Sequence, residues 1–315
     1  MKSYIIKHET ISSRGGKLLK RNEVYLESFF IRANIPSLIT NGFIKEYNGD
    51  VDSMDPKEQQ QCKIQANKVL EDSKIKNLPK WKKRVAIVTA CWKRPEVFEM
   101  FANATKKLNH PDLEIIVIVA GSEGAKSKHM VEKHGFIYIE IENDPLASKM
   151  NITTILAGKL QCDYVLCVGS DDLITNELLC VYAEQINLQI DYVAVLDWYF
   201  YDTISKKMSY WGGYSDSRRI GHTCGAGRLI SARLMNEWNW QPWQIKHSKI
   251  LDNSMQDKLK TTPHTSFIFS LKQFNVYAFD IKSNVNMTPF ALWENTSFIN
   301  DPTANKTLKQ ITCVE

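Results

Sequence analysis

No apolar run in the sequence approaches the roughly 18 residues that a membrane helix needs. The longest, Leu113–Ala120 and Tyr192–Tyr201, have the length of strands. The start, Met1-Lys2-Ser3-Tyr4-Ile5-Ile6-Lys7-His8-Glu9, carries charges on both sides of a very short apolar run and lacks the central region of a secretory signal. These absences lead to the expectation of a cytoplasmic protein with no membrane partner. The seven cysteines are an odd number, with no CxxC pair and no Cys/His cluster at zinc spacing, so neither a disulfide framework nor a zinc site is indicated. In that compartment the Asn-x-Ser/Thr triplets at Asn103, Asn151, Asn295 and Asn305 are chance matches. Phosphate-binding motifs are missing as well. There is no G-x-x-x-x-G-K-[ST], and Gly225-Ala226-Gly227-Arg228 neither follows the first strand nor has the third glycine of a dinucleotide fingerprint.

What is present is ordinary globular composition, 43% hydrophobic and 24% charged over 315 residues, with a net charge of +5 that permits a polyanionic partner without demanding one. Residues 1–50 read as a small N-terminal α+β domain. It has β-type runs at Tyr4–Lys7 and Glu23–Leu26, helical spacing over Ser28–Thr40 ended by Asn41-Gly42, and a closing alternation at Phe43–Tyr47. Residues 51–82 form a polar connector whose end belongs to the basic stretch Lys74–Arg84. From residue 83 to 315 strands alternate with helices. The strands are Val85–Ala90, Leu113–Ala120, Phe136–Glu142, Asp163–Val168 and Asp191–Trp198, and the helices are Glu96–Leu108, Ala125–His134, Leu146–Leu160 and Asn176–Gln189. Such alternation implies an α/β fold, a mainly parallel sheet covered by helices on both faces, which binds ligands beyond the carboxyl ends of its strands.

The residues after the strands are therefore the candidates. They are Thr89-Ala90-Cys91-Trp92-Lys93-Arg94-Pro95, Ala120-Gly121-Ser122-Glu123-Gly124 and Gly169-Ser170-Asp171-Asp172. An aspartate pair at a strand end suits a hard divalent cation, Mn2+ or Mg2+, that takes oxygen ligands and bridges phosphates. Helix capping is the plain alternative for such residues, but Thr175 can cap the helix beginning near Asn176, with Glu177 in its first turn.

The stretch Asn143-Asp144-Pro145-Leu146-Ala147-Ser148-Lys149-Met150-Asn151, then a helix, then Asp163–Asp172, resembles the donor half of family-2-like GT-A glycosyltransferases. The likeness runs from about Val85 to Leu259 and implies a GT-A, Rossmann-like domain over residues 83–315. Lys149 and Asn151 match the family's basic residue two before an asparagine. Ser170-Asp171-Asp172 matches its acidic D-x-D-type motif, with serine at the first acidic position, which leaves Asp172 as the metal ligand and Asp171 beside it. The resemblance makes Thr89–Pro95 the first nucleotide loop, with Arg94 meeting the donor's negative charge. The donor-binding set is then Thr89, Ala90, Arg94, Ser122, Lys149, Asn151, Ser170 and Asp171. In Lys249–Leu259 it places the family's acidic helix, with Asp252 as the base of an inverting reaction and Asp257 as second choice, unless Asp252 only caps a helix starting near Ser254. His264 would complete the metal site, unless it is a structural histidine.

The implied activity is metal-dependent transfer from a nucleotide-diphosphate sugar, UDP-linked first of all, to a hydroxyl acceptor. A sugar nucleotidyltransferase would need a glycine-rich basic loop after the first strand, and Thr89–Pro95 has no glycine. Ser170 leaves a non-catalytic binding protein as a rival. For the acceptor, the Lys/Ile/Asn-rich composition resembles bacteriophage proteins, whose transferases glycosylate hydroxymethylcytosine in DNA. Trp240, Trp243, Arg218 and Arg219 are the acceptor-side candidates, with Lys74–Arg84 and Lys206-Lys207 as phosphate contacts. Core packing for the tryptophans, solvated faces for the cations and a saccharide or virion-protein acceptor are the other readings.

Overall fold

A computed structural model describes residues 3–6, 24–26, 44–46, 64–69, 82–215, 219–243, 251–284, 286, 290 and 301–312, with the backbone alone for the first three segments and for residues 252 and 253. The chain divides into two compact units, Met1–Asp52 and Ser53–Glu315. In the first, β1 (Ser3–Ile6) pairs antiparallel with β2 (Val24–Leu26) and β3 (Ile44–Glu46), which fall on the two β-type runs and the closing alternation read from the sequence. The helical stretch expected over Ser28–Thr40 lies outside the described residues.

The second unit is α/β, built on a seven-stranded, mostly parallel sheet. Its strands are β4 (Lys83–Ala90), β5 (Leu113–Gly121), β6 (Ile137–Glu140), β7 (Tyr164–Cys167), β9 (Tyr192–Val195), β12 (Arg228–Ser231) and β13 (Ser266–Phe269), in the order β13-β9-β12-β7-β4-β5-β6. Only β12 runs antiparallel to its neighbours, β7 and β9. On β4, Val85 and Ile87 enter one core while Ala86 and Val88 enter the other, so the period-two alternation buries both faces. Helix α1 (Pro95–Lys106) brings Val97, Phe98 and Phe101 to the first face. Helix α3 (Leu146–Lys159) brings Ile152, Ile155 and Leu156 to the second, after α2 (Ala125–Glu132) has led into β6. The second core also includes Ala66, from a helical segment over 64–69 within the stretch that reads as a polar connector.

A four-stranded sheet adjoins the strand exits. Its order is β11 (Met208–Trp211), β10 (Trp198–Asp202), β14 (Ala278–Lys282), β8 (Asp172–Ile174). The run expected as one strand, Asp191–Trp198, therefore splits between two sheets. Asp197 fixes the break. Its carboxylate accepts from Tyr210 Oη at 2.7 Å, Ser270 Oγ at 2.8 Å and the N–H groups of Leu271 and Lys272 at 2.6 and 3.1 Å, where the short helix α7 (Leu271–Phe274) begins. The segment Gly225–Arg233 contains β12 and the start of α5 (Ala232–Glu237), with Leu229 and Ile230 wholly buried between neighbouring strands. Helix α4 (Asn176–Asn187) is capped by Thr175, whose hydroxyl accepts from Leu178 N–H at 3.3 Å, as the sequence predicts. Helices α6 (Leu251–Thr261) and α8 (Pro302–Thr312) complete the unit. None of the described helices is long and apolar enough to cross a membrane.

Asp191 ties three elements together at the opposite, amino-terminal end of β9. Its carboxylate accepts from Ser231 Oγ and Arg233 Nε at 2.9 and 2.7 Å, from Arg233 Nη2 at 2.7 Å, and from the Thr265 N–H and hydroxyl at 3.0 and 3.1 Å. Burial opposes ionisation, but the Arg233 guanidinium and the Thr265 and Ser231 donors outweigh it and hold the carboxyl below the usual carboxylate range. A depressed folded-state value gives stability that is present above the unfolded value, about 4, and lost as pH falls below it. Asp191→Asn should therefore lower stability at pH 7 by about 2 kcal/mol, a figure reduced for the half-exposed Arg233. Urea titrations of both proteins at pH 7 and pH 3 should show the gap narrowing at the lower pH. An equal gap at both would mean that the carboxylate's charge contributes nothing.

Candidate functional site

The central strands β4 and β7 end side by side, and the chain after each turns outward into a cavity of about 480 Å³. That volume is in the range of small-ligand sites. Its walls include Ala90, Arg94, Asn143, Lys149, Asp171, Asp172, Trp243, Leu251 and Lys282. The sequence places the site where an open sheet should have it.

Asp171 and Asp172 sit where β7 passes into β8. Asp172 Oδ2 accepts the Gly169 N–H at 2.5 Å, and Asp172 lies opposite Asp280 in the β8–β14 register. Asp171 Oδ2 accepts from Arg94 Nη1 at 2.6 Å and from Asn286 Nδ2 at 2.8 Å, while Arg94 Nη2 donates to Ser170 Oγ at 3.1 Å. Lys282 Nζ donates to Asp280 Oδ2 at 2.6 Å, and Asp280 Oδ1 is buried with no partner among the described residues. Burial, then Asp280, then Asp171 push the Asp172 carboxyl well above the usual carboxylate range. Burial and Asp171 push Asp280 up to about 7 against the pull of Lys282. A cluster of buried carboxyls that disfavour one another's charge is what a bound cation relieves.

Among the described residues no group of three or more His, Cys, Asp or Glu side chains is arranged to hold a metal ion. A magnesium-like cation shared with a diphosphate needs only one or two carboxylates. Asp171 and Asp172 meet that requirement, and Asp280, opposite Asp172 in the strand register, has one oxygen with no partner among the described residues, so the residues fit a hard divalent cation.

The other sequence candidates separate into groups. Lys149 is buried on α3 and donates to the Cys91 carbonyl, Ser122 Oγ and Asn143 Oδ1, each at 3.1 Å. Burial pulls its ammonium below the usual lysine range. Lys149 and Ser122 thus tie the loops after β4, β5 and β6 to one point. Asn151 grips the Trp243 backbone, donating to its carbonyl at 2.7 Å and accepting its N–H at 3.2 Å, and so sets one cavity wall. Thr89 is wholly buried and Ala90 lines the cavity. Trp240 is held elsewhere. It lies over Gly158, where an added Cβ would fall 2.6 Å from ring atoms, and it borders a different cavity with Asn236 and Asn239. Asp257 is on the exposed side of α6 and pairs with Lys260 at 3.2 Å. His264 lies by the Asp191 node, its ring against Tyr192 and its Nδ1 within 2.8 Å of the Thr262 carbonyl. The structure brings neither to the aspartate pair. Arg219 lies over the Tyr214 ring at 3.6 Å, and Arg218 lies outside the described residues. Asp252 falls in the first described turn of α6, next to Leu251 of the cavity wall; its side chain lies outside the described residues.

Asp280, Lys282 and Asn286 were not sequence candidates. In Ala278-Phe279-Asp280-Ile281-Lys282 two charged residues share one face of an otherwise apolar strand, the signal that points to them. Gly169 is a further determinant, since a Cβ there would fall 2.5 Å from Asp171 Oδ1 and 2.8 Å from Asp172 Oδ2. Gly169→Ala should leave the fold intact, because only side-chain ends must move, yet weaken Mn2+ binding at least about tenfold by displacing both carboxylates. Circular dichroism and Mn2+ titration would check this; unchanged binding would mean that the pair holds no cation.

No family model matches the sequence, and no curated protein does. Among solved structures the chain is similar to Staphylococcus aureus TarS. Residues 1–349 of that protein align at 15% identity over 63% of this chain and 60% of that one, with a TM-score of 0.49. The same TarS fragment in complex with UDP-GlcNAc aligns at 13% identity over 72% and 65%, with a TM-score of 0.47. Its complex with UDP aligns at 15% over 64% and 61%, with a TM-score of 0.48. The chain thus spans 60% of the length of the first of these.

Proposed function

We propose that the chain is a divalent-cation-dependent glycosyltransferase that moves a sugar, with inversion, from a nucleoside-diphosphate sugar, UDP-linked first of all, to a hydroxyl acceptor. The observation that carries the reading is the Ser170-Asp171-Asp172 turn at the exit of a central strand, inside a cavity that also presents Arg94 and Lys282. The resemblance of Lys149–Asp172 to family-2-like GT-A enzymes supports it. Asp171 and Asp172 would hold Mn2+ or Mg2+, which when bound neutralises charge on the departing diphosphate. Arg94 and Lys282 add positive charge to the cavity wall, and at their low exposure that charge acts more strongly than in water. Lys149 has its ammonium committed to three acceptors, so its part is to align the donor loops rather than to meet a phosphate. Asp252, in the first described turn of the helix that supplies Leu251 to the cavity, would take the proton of the attacking hydroxyl.

Asp172→Asn should abolish cation-dependent donor turnover while leaving the fold intact, read as UDP release from a panel of UDP-sugars with Mn2+. Asp252→Asn should reduce transfer by at least about a hundredfold with donor affinity nearly unchanged, as loss of a positioned base requires. Donor binding without turnover in the wild type under any condition would favour a non-catalytic sugar-nucleotide-binding protein.

For the acceptor we take hydroxymethylcytosine in DNA as the reading to test against a saccharide or protein hydroxyl. The basic run feeding β4 gives it limited support. Arg84 is buried, with Nε on Glu114 at 2.8 Å and Nη1 on the Leu160 carbonyl at 2.6 Å, and Lys83 faces Asp163 at 3.7 Å. Lys82, Lys206 and Lys207 are exposed. Mass spectrometry of nucleosides from hydroxymethylated DNA incubated with the protein and the donor panel should show a sugar increment on hydroxymethylcytosine. Transfer to saccharides with none to DNA would move the acceptor to that class.

A further inference from the structure

Arg94 reaches the aspartate pair from a loop that is tied down on both sides. The Cys91 N–H donates to the Ala120 carbonyl at 2.9 Å, and the Cys91 carbonyl accepts from Lys149 at 3.1 Å. The Lys93 N–H donates to Glu123 Oε2 at 2.8 Å, and Pro95 opens α1 immediately after Arg94. From that fixed origin the guanidinium places Nη1 on Asp171 and Nη2 on Ser170, and Asn286 donates to the same Asp171 oxygen. The Arg94 and Asp171 side chains are only 19% and 17% exposed, so the pair is part of the cavity wall rather than a loose surface contact. Two donors thus occupy an oxygen that a divalent cation would use, and one of them is the charge that a diphosphate would attract.

We propose that Arg94 is a positioning residue that holds Asp171 in the free protein and passes to the donor's diphosphate on binding, so that cation and nucleotide are taken up together. This rests on the reading of the cavity as a sugar-nucleotide site. Two cations that compete for one carboxylate oppose each other's binding, so Arg94 lowers the affinity for the metal alone. A diphosphate that draws the guanidinium away releases Asp171, so each ligand raises the affinity of the other by the same factor. Fork geometry makes arginine suited to this exchange, since the same planar donors match a carboxylate or a phosphate.

The test uses the full chain with Mn2+ alone, followed by the electron paramagnetic resonance of free Mn2+, and then UDP binding at saturating Mn2+. Arg94→Gln should bind Mn2+ alone about tenfold more tightly than the wild type, the scale of one charge-assisted hydrogen bond, and should bind UDP about tenfold more weakly. Arg94→Lys keeps the charge without the fork and should fall between the two proteins in both measurements. The opposite signs separate exchange from a merely structural role, which would weaken both ligands together. Equal Mn2+ affinity in wild type and Arg94→Gln, with Mn2+ bound by both, would overturn the exchange and leave the cation site standing. No Mn2+ binding by either protein would overturn both.

Discussion

The constraint on which the site depends is electrostatic: three carboxyl groups, Asp172 buried and Asp171 and Asp280 partly so, meet where the large sheet gives way to the small one. Coulomb repulsion grows as the effective dielectric falls, so the arrangement persists only because each carboxyl is met by an opposing group. Arg94 and Asn286 meet Asp171, the Gly169 N–H meets Asp172, and Lys282 meets Asp280. The match is incomplete. Asp172 and Asp280 remain shifted toward the protonated form, and one oxygen of Asp280 has no partner among the described residues. That residual imbalance sets this cluster apart from the fully partnered aspartates elsewhere in the chain.

The comparison can be made within this chain. Asp191 and Asp197 are as buried as the site aspartates, yet both are saturated with donors from several elements, and their role is to fix strand ends. Residue type does not distinguish the two uses; the number and kind of partners does. His264 illustrates the same point from the other side. It stands one residue before Thr265, which belongs to the Asp191 node, and this places it far along the chain's architecture from the strand exits where a metal ligand would be useful.

The central sheet was legible because its signals are local. Continuous apolar runs such as Leu113–Ala120 mark strands buried on both faces, and Thr175 announces the start of α4. The aspartate turn was legible for the same reason, since it follows an apolar strand with its capping role already filled. The small sheet was not. Its strands β10, β11, β14 and β8 pair across separations that no local pattern encodes, and a continuous run at Asp191–Trp198 conceals a change of sheet that depends on donors from Tyr210 and Ser270. Asp280, Lys282 and Asn286 belong to that sheet and the turn after it, which explains why half of the aspartate cluster's partners escaped a reading that looked only after the strands of the large sheet. Trp240 and Trp243 are three positions apart in sequence but border different cavities, a separation set by the backbone bonds that α3 makes to each.

Those bonds give the Lys-x-Asn pattern a physical meaning beyond the ligand contacts that the family resemblance suggests. Residues two apart on a helix point about 200° away from each other. Lys149 accordingly turns toward the loops after β4, β5 and β6, and Asn151 turns toward the 240–243 segment, so one helix secures both walls of the cavity. Because α3 is itself packed against β4 and β5, the two walls take their separation from the sheet rather than from each other. Arg94, on the wall secured by Lys149, and Trp243, on the wall secured by Asn151, are thereby held at a distance fixed by the core. Within this frame the parts with freedom to change partners are the tips of side chains, the guanidinium of Arg94 above all.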